Sequence, residues 1–182
     1  MGGPLAYEVA RQLTGAGETV SLLAVGDSDV VADMKDLQRY VWPILMRNTL
    51  RLDVDPDDYL KLGTADRAAR VARLAIDSGA FPADSDMRTV TRMLEIYDVN
   101  AAAVAGYRAE PYPGRLVLFR SEQHSPLGDA LGWRPYVHEL VIHKVPGMHQ
   151  DLMNPESVPV VAEVLESYLS ETATLTMAPV RT

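Results

Sequence analysis

Leu5, Val9 and Leu13, flanked by Ala6 and Ala10, recur at helical spacing and predict an amphipathic helix over 4–13, with that stripe as its buried face. Gly15 and Gly17 end it. Thr19 to Gly26 follows as a short apolar, β-branched run, the composition of a parallel strand covered on both faces. It stops at Asp27-Ser28. From Val30 to Arg108 the pattern becomes helical without strands, in segments over Met34 to Asn48, Ala65 to Ser78 and Met87 to Arg108, interrupted at Asp55-Pro56 and Phe81-Pro82. Strand patterning resumes after the turn Pro111-Tyr112-Pro113-Gly114, with Arg115 to Arg120 and then Glu139 to Val145, the latter ending at Pro146-Gly147. Asn154-Pro155-Glu156 carries the signature of a helix start, and Val161, Val164, Leu165 and Tyr168 supply the stripe behind it. Beyond Leu169 the periodicity fades, so 170–182 is expected to be a loose tail.

A helix running into a buried strand, a helical insertion, and further strands make an α/β chain whose chemistry belongs outside the carboxyl ends of its strands. At 182 residues and 47% hydrophobic, it has the size of one domain with a sizeable core. Its net charge of -8 and lack of Lys/Arg runs argue against a nucleic-acid surface. The absence of cysteine excludes disulfides, a thiolate nucleophile and sulfur-ligated metals, and suits a cytoplasmic setting. No apolar stretch approaches membrane-spanning length, so no membrane partner is expected.

Asp27 and His149 each follow a strand-like segment, so a parallel sheet would bring both to one edge. Together they suit an orienting acid and a general base, since a carboxylate on one ring nitrogen fixes the tautomer and stabilises the imidazolium. Separately, Asp27 also reads as a turn or cap residue and His149 as a loop residue. Gly2-Gly3 before the first helix matches the back half of a G-x-S-x-G elbow, in which glycines let the backbone pass closely, or equally a flexible start. Ser21 lies within a strand and Ser28 follows the acid, so neither replaces an elbow serine. His138 and His143 alternate toward opposite strand faces, and no ligand spacing suggests a metal.

Four stretches in this order carry a family resemblance: Gly2 to Ala10, Leu22 to Ser28, Tyr112 to Arg120 and Val145 to Met153. The chain resembles the thioesterase domains of nonribosomal peptide synthetases and polyketide synthases, which have the α/β-hydrolase fold. The resemblance implies a partial α/β-hydrolase fold: the C-terminal strands of a mostly parallel sheet, flanking helices and a helical lid. It implies a truncated thioesterase domain over 1–169, with 30–110 as the lid that holds the substrate-binding residues. Asp27 is then the triad acid and His149 the base. Some members carry their acid after the next strand, where this chain has Ser121-Glu122-Gln123-His124, so Glu122 is an alternative that fits less well than Asp27.

By the same resemblance the nucleophilic serine would immediately precede Met1, whose backbone N–H would serve the oxyanion hole in the full-length domain. No bound cofactor is implied. The substrate would arrive as an acyl or peptidyl thioester on the phosphopantetheine of a carrier-protein partner. Three readings follow: the C-terminal part of a thioesterase, started at an internal methionine or cut from a larger protein and inactive alone; a non-catalytic module that binds a carrier protein or the missing N-terminal half of the domain; and a decayed gene product.

Overall fold

The structure, a computed structural model, describes residues 2–30, 61–122, 125 and 127–176. The helix expected over 34–48, and Met1 itself, lie outside the described residues. The chain divides into two compact units, one formed by 1–32 with 108–182 and the other by 33–107.

The first unit is built on a three-stranded, wholly parallel sheet of β1 (Ala24–Gly26), β2 (Tyr112–Arg120) and β3 (Val137–Lys144), in that spatial order. Val25 stands beside Leu118, and Leu118 beside Ile142. Parallel strands need cover on both faces, and the alternation of β2 supplies two apolar surfaces. Val117 and Phe119 join Val145, Leu152 and Val161 in one cluster, with Val164, Leu165 and Tyr168 from α4 (Val158–Thr176) packed against it. The opposite face receives α1 (Gly2–Gly15), whose buried residues are Gly3, Pro4, Tyr7 and Ala10. Tyr7 is fully buried, with its ring centroid 5.8 Å from that of Tyr112 and 5.0 Å from that of Trp133. Its single hydroxyl proton is shared between the carbonyls of Glu110 at 2.6 Å and Tyr136 at 2.7 Å. Burial pushes the phenol up to about 12, so it stays a donor.

The expected buried stripe of α1 is therefore corrected: Leu5, Val9 and Leu13 are 68%, 49% and 45% exposed. At about 100° per residue, apolar side chains occupy roughly 200° of this helix, from Leu5 through Val9, Leu13, Ala6, Ala10 and Gly3 to Tyr7. Only the arc containing Gly3 can approach the sheet closely, because a Cβ there would stand 2.5 Å from Ser28 Oγ and 2.9 Å from Val25 Cγ1.

The first strand is also shorter than the run from Thr19 predicts. Its register sets Ala24 beside Val117, which would place residues 20 and 21 against Pro113, which has no N–H, and Gly114. The N–H of Val117 donates to Leu23 O at 2.9 Å, and that of Asp27 to Phe119 O at 2.8 Å. By that parity the backbone groups of Leu22, Ala24 and Gly26 face away from β2, where no strand stands among the described residues. α4 begins at Val158 rather than at Pro155, and the side-chain amide of Asn154 donates to Asp151 Oδ1 at 3.0 Å. It also runs on to Thr176, past the expected end at Leu169, since elongation adds one hydrogen bond per residue fixed even without an apolar stripe.

In the second unit, α2 (Thr64–Asp77) and α3 (Met87–Gly106) fall close to their predicted spans. Ala68, Val71, Ala72 and Ala75 pack with Val90 and Leu94 as its core. Asp86 caps α3 by accepting from the N–H groups of Arg88 and Thr89. A pair of buried side chains, Arg67 and Asp98, lies 3.5 Å apart and joins the two helices. No helix among the described residues is long and apolar enough to cross a membrane.

The close seat of α1 on β1 sets an expectation for Gly3→Ala. It should lower stability in urea by about 1–3 kcal/mol through overpacking. Gly2→Ala, with nothing within 4 Å of the added Cβ, should change it by less than about 0.5 kcal/mol. Overlaying melts for Gly3→Ala and the native chain would remove the close approach as a constraint.

Candidate active site

Asp27 and His149 meet at the carboxyl end of the sheet. Asp27 is the first residue after β1 and has φ 38, in the left-handed region that aspartate tolerates better than most side chains. Its side chain is only 6% exposed, so its charge requires partners. Four donors converge on it. Arg120 Nη1 lies 2.9 Å and the Ser121 N–H 3.0 Å from Oδ1, while the Ser121 hydroxyl is 2.7 Å and His149 Nδ1 3.2 Å from Oδ2. Burial pushes the Asp27 carboxyl up, but the hydrogen bonds from His149, Ser121 and Arg120 together outweigh it and hold the group at about 2.

His149 opens a short 3-10 turn, His149–Asp151, that follows β3. The N–H of Met148 donates to Asp151 Oδ2 at 2.8 Å, and Gly147 adopts φ 87, where a Cβ would come within 2.9 Å of Asp151 Cβ. Glu122 anchors the same loop, because its N–H donates to Gly147 O at 2.9 Å and its Oε2 accepts from the Gly147 N–H at 3.2 Å. Glu122, the alternative acid, is thus engaged with the loop backbone, and the carboxylate on His149 is that of Asp27.

His149 Nδ1 also lies 3.1 Å from the Asp27 carbonyl oxygen. Both neighbours of Nδ1 accept, so the proton of the neutral ring belongs on Nδ1, which leaves a lone pair on Nε2. The hydrogen bond to Asp27 raises the imidazole above its ordinary value. The ring is 64% exposed and accessible to a reacting group. The N-terminal end of α1 abuts this edge, since Gly3 packs on Ser28, next to Asp27. Ser28 is buried there, and its carbonyl accepts from Trp133 Nε1 at 2.6 Å.

Sequence reasoning did not single out Arg120 and Ser121. Their signal is an arginine closing the apolar run Leu116 to Phe119, a place where a charge is buried only if paired. Of the other histidines, His143 is half-buried against Tyr168, 3.1 Å from its hydroxyl, and His138 is exposed. No cluster of His, Asp or Glu suited to a metal occurs among the described residues.

No family model matches the chain. It is 24% identical over 173 residues to malpibaldin synthetase of Mortierella alpina, covering 92% of this chain and 3% of that protein. The nonribosomal peptide synthetase AB3403, a four-domain protein, superposes with a TM-score of 0.67 at 24% identity, over 89% of this chain and 13% of that one. The NocB thioesterase domain, from the nocardicin cluster, superposes with a TM-score of 0.56 at 21% identity, over 92% of this chain and 62% of that one. The chain thus spans a small part of the synthetases it matches and less than two thirds of that thioesterase chain. Its architecture, a parallel sheet between flanking helices, is that of the α/β-hydrolase-type thioesterase domains of nonribosomal peptide synthetases.

The two titrations act at opposite ends of the pH range. Asp27, held at about 2 against 3.8, stabilises the fold above about pH 4, and that contribution, about 2 kcal/mol, is lost as pH falls toward 2. His149, raised above 6.5, contributes fully below that value and loses its contribution as pH rises through its folded value. Asp27→Asn should flatten both limbs in urea melts and bring the His149 midpoint, followed by proton NMR, to 6.5 or below. An unmoved midpoint would break the assignment of Asp27 as its partner.

Proposed function

We propose that this chain carries the acid and base of a Ser-His-Asp acyl-transfer centre that releases acyl or peptidyl chains from a carrier-protein thioester. The observation that supports it best is the His149 Nδ1 contact with the buried Asp27 carboxylate, at the sheet edge where α1 begins. In this reading the nucleophilic serine immediately precedes Met1, whose backbone N–H would serve the oxyanion hole in the full-length domain, just ahead of α1. The positive end of the helix dipole favours charge there.

His149 Nε2 takes the serine proton as Oγ attacks the thioester carbonyl. The tetrahedral intermediate collapses with loss of the phosphopantetheine thiolate, which receives that proton. Water or a nucleophile within the acyl chain then attacks the serine ester, with His149 again as base. Asp27 orients the ring and stabilises each imidazolium. By the family resemblance the span 30–110 would supply the acyl-binding residues, and the partner would be an acyl or peptidyl carrier protein in the cytoplasm. That the NocB domain was crystallised as a covalent complex with a fluorophosphonate supports the same chemistry for this fold.

A second reading is favoured by the exposed apolar arc of α1 and by the side of β1 away from β2, where no strand stands among the described residues: a non-catalytic module that binds a complementary segment. Expression with and without the in-frame sequence upstream of Met1 separates the two. The first reading expects Gly-x-Ser directly before Met1, turnover of an acyl-pantetheine thioester by the extended protein, and fluorophosphonate labelling of that serine. His149→Ala or Asp27→Asn should then cost about 10³–10⁴-fold in kcat. The 182-residue chain should show neither turnover nor labelling. A stop codon directly upstream, or a labelled serine within this chain, would overturn it.

A further inference from the structure

The carboxylate that meets His149 is shared with a guanidinium. Arg120 ends β2 with its side chain 5% exposed. Its Nη1 donates to Asp27 Oδ1 at 2.9 Å, to Ser121 O at 2.7 Å and to Ser121 Oγ at 3.2 Å. Ser121 in turn spans the carboxylate, its N–H on Oδ1 and its hydroxyl on Oδ2. Rotation of the carboxyl group would break contacts at both oxygens, so Oδ2 is fixed toward Nδ1 of His149.

The charges matter as much as the geometry. A lone carboxylate close to an imidazole raises its pKa, by an amount that solvent screening reduces at an exposed ring such as that of His149. A larger share of such rings is imidazolium at neutral pH, and imidazolium cannot accept a proton. Here the buried pair Arg120 and Asp27 is neutral overall. Other charged groups among the described residues also lie near His149. Asp151 holds the Met148 N–H, Glu122 holds the Gly147 N–H, and the terminal ammonium of the chain also opposes protonation.

We propose that Arg120 and Ser121 are positioning residues for His149. Ser121 turns Asp27 Oδ2 to Nδ1, and the Arg120 guanidinium offsets part of the carboxylate charge, so the ring is oriented without being locked as imidazolium. The inference rests on the reading of His149 as a general base, but its test needs no nucleophile.

Histidine-labelled native chain, Arg120→Gln, Arg120→Lys, Ser121→Ala and Ser121→Thr would be titrated by ¹⁵N NMR, with near-UV circular dichroism reporting the fold. Arg120→Gln should raise the His149 midpoint by about 0.5–1 unit, the exposed ring being screened, and Arg120→Lys should leave it within about 0.3 unit. Ser121→Ala should shift the neutral ring from the Nδ1–H toward the Nε2–H tautomer, and Ser121→Thr should restore it. A merely structural pin would move neither readout. An Arg120→Gln midpoint equal to or below the native one, or an unchanged tautomer in Ser121→Ala, overturns the proposal. If Arg120→Gln does not fold, Arg120→Lys decides, and a shift beyond about half a unit overturns it. Absence of turnover in the upstream-extended protein, with these titrations as expected, would count against the thioesterase reading and leave the positioning roles intact.

Discussion

A buried carboxylate must find donors or give up its charge, and at Asp27 the donors come from places far apart in the chain. Arg120 and Ser121 arrive from the end of β2 and His149 from the loop after β3. The parallel order of the sheet brings these ends to one edge, so satisfying one side chain ties the register of three strands to the geometry of the site. The left-handed backbone at Asp27 belongs to the same constraint, since it turns the chain off β1 while the Asp27 N–H remains bonded to Phe119 O. Strain of this kind persists where surrounding contacts determine it.

Cover for the sheet follows from β2. Its alternation sends Val117 and Phe119 toward α4, while Tyr112 meets Tyr7 from α1 on the other face. Tyr7 also ties that helix to the segments leading into β2 and β3 through the carbonyls of Glu110 and Tyr136. The ion pair of Arg11 with Glu110, at 3.0 Å, runs beside it but is partly exposed and contributes little. Packing, more than surface charge, sets the position of α1, and with it the end that abuts Asp27.

Much of this was legible in the sequence. Apolar runs ending in Asp27 and Pro146-Gly147 marked strand ends, and strand ends in a parallel sheet are where chemistry gathers. The orientation of α1 was not legible: with apolar residues over more than half its circumference, periodicity shows that it is a helix but not which side meets the sheet. That choice was made by the close seat of Gly3 and the hydrogen bonds of Tyr7, neither of which periodicity weighs. Arg120 and Ser121 escaped notice because their importance lies in a partner 93 and 94 residues away.

β1 and β2 are neighbours in the sheet although the whole of the second unit lies between them in sequence. Closing such a connection costs entropy that grows only logarithmically with its length, about 0.6 kcal/mol per doubling. The strands that carry Asp27 and Arg120 are therefore nearly indifferent to how much chain separates them. Insertions, deletions or wholesale exchange within 33–107 can accumulate without disturbing their pairing, which frees that stretch to diversify while the acid and its partners stay in register.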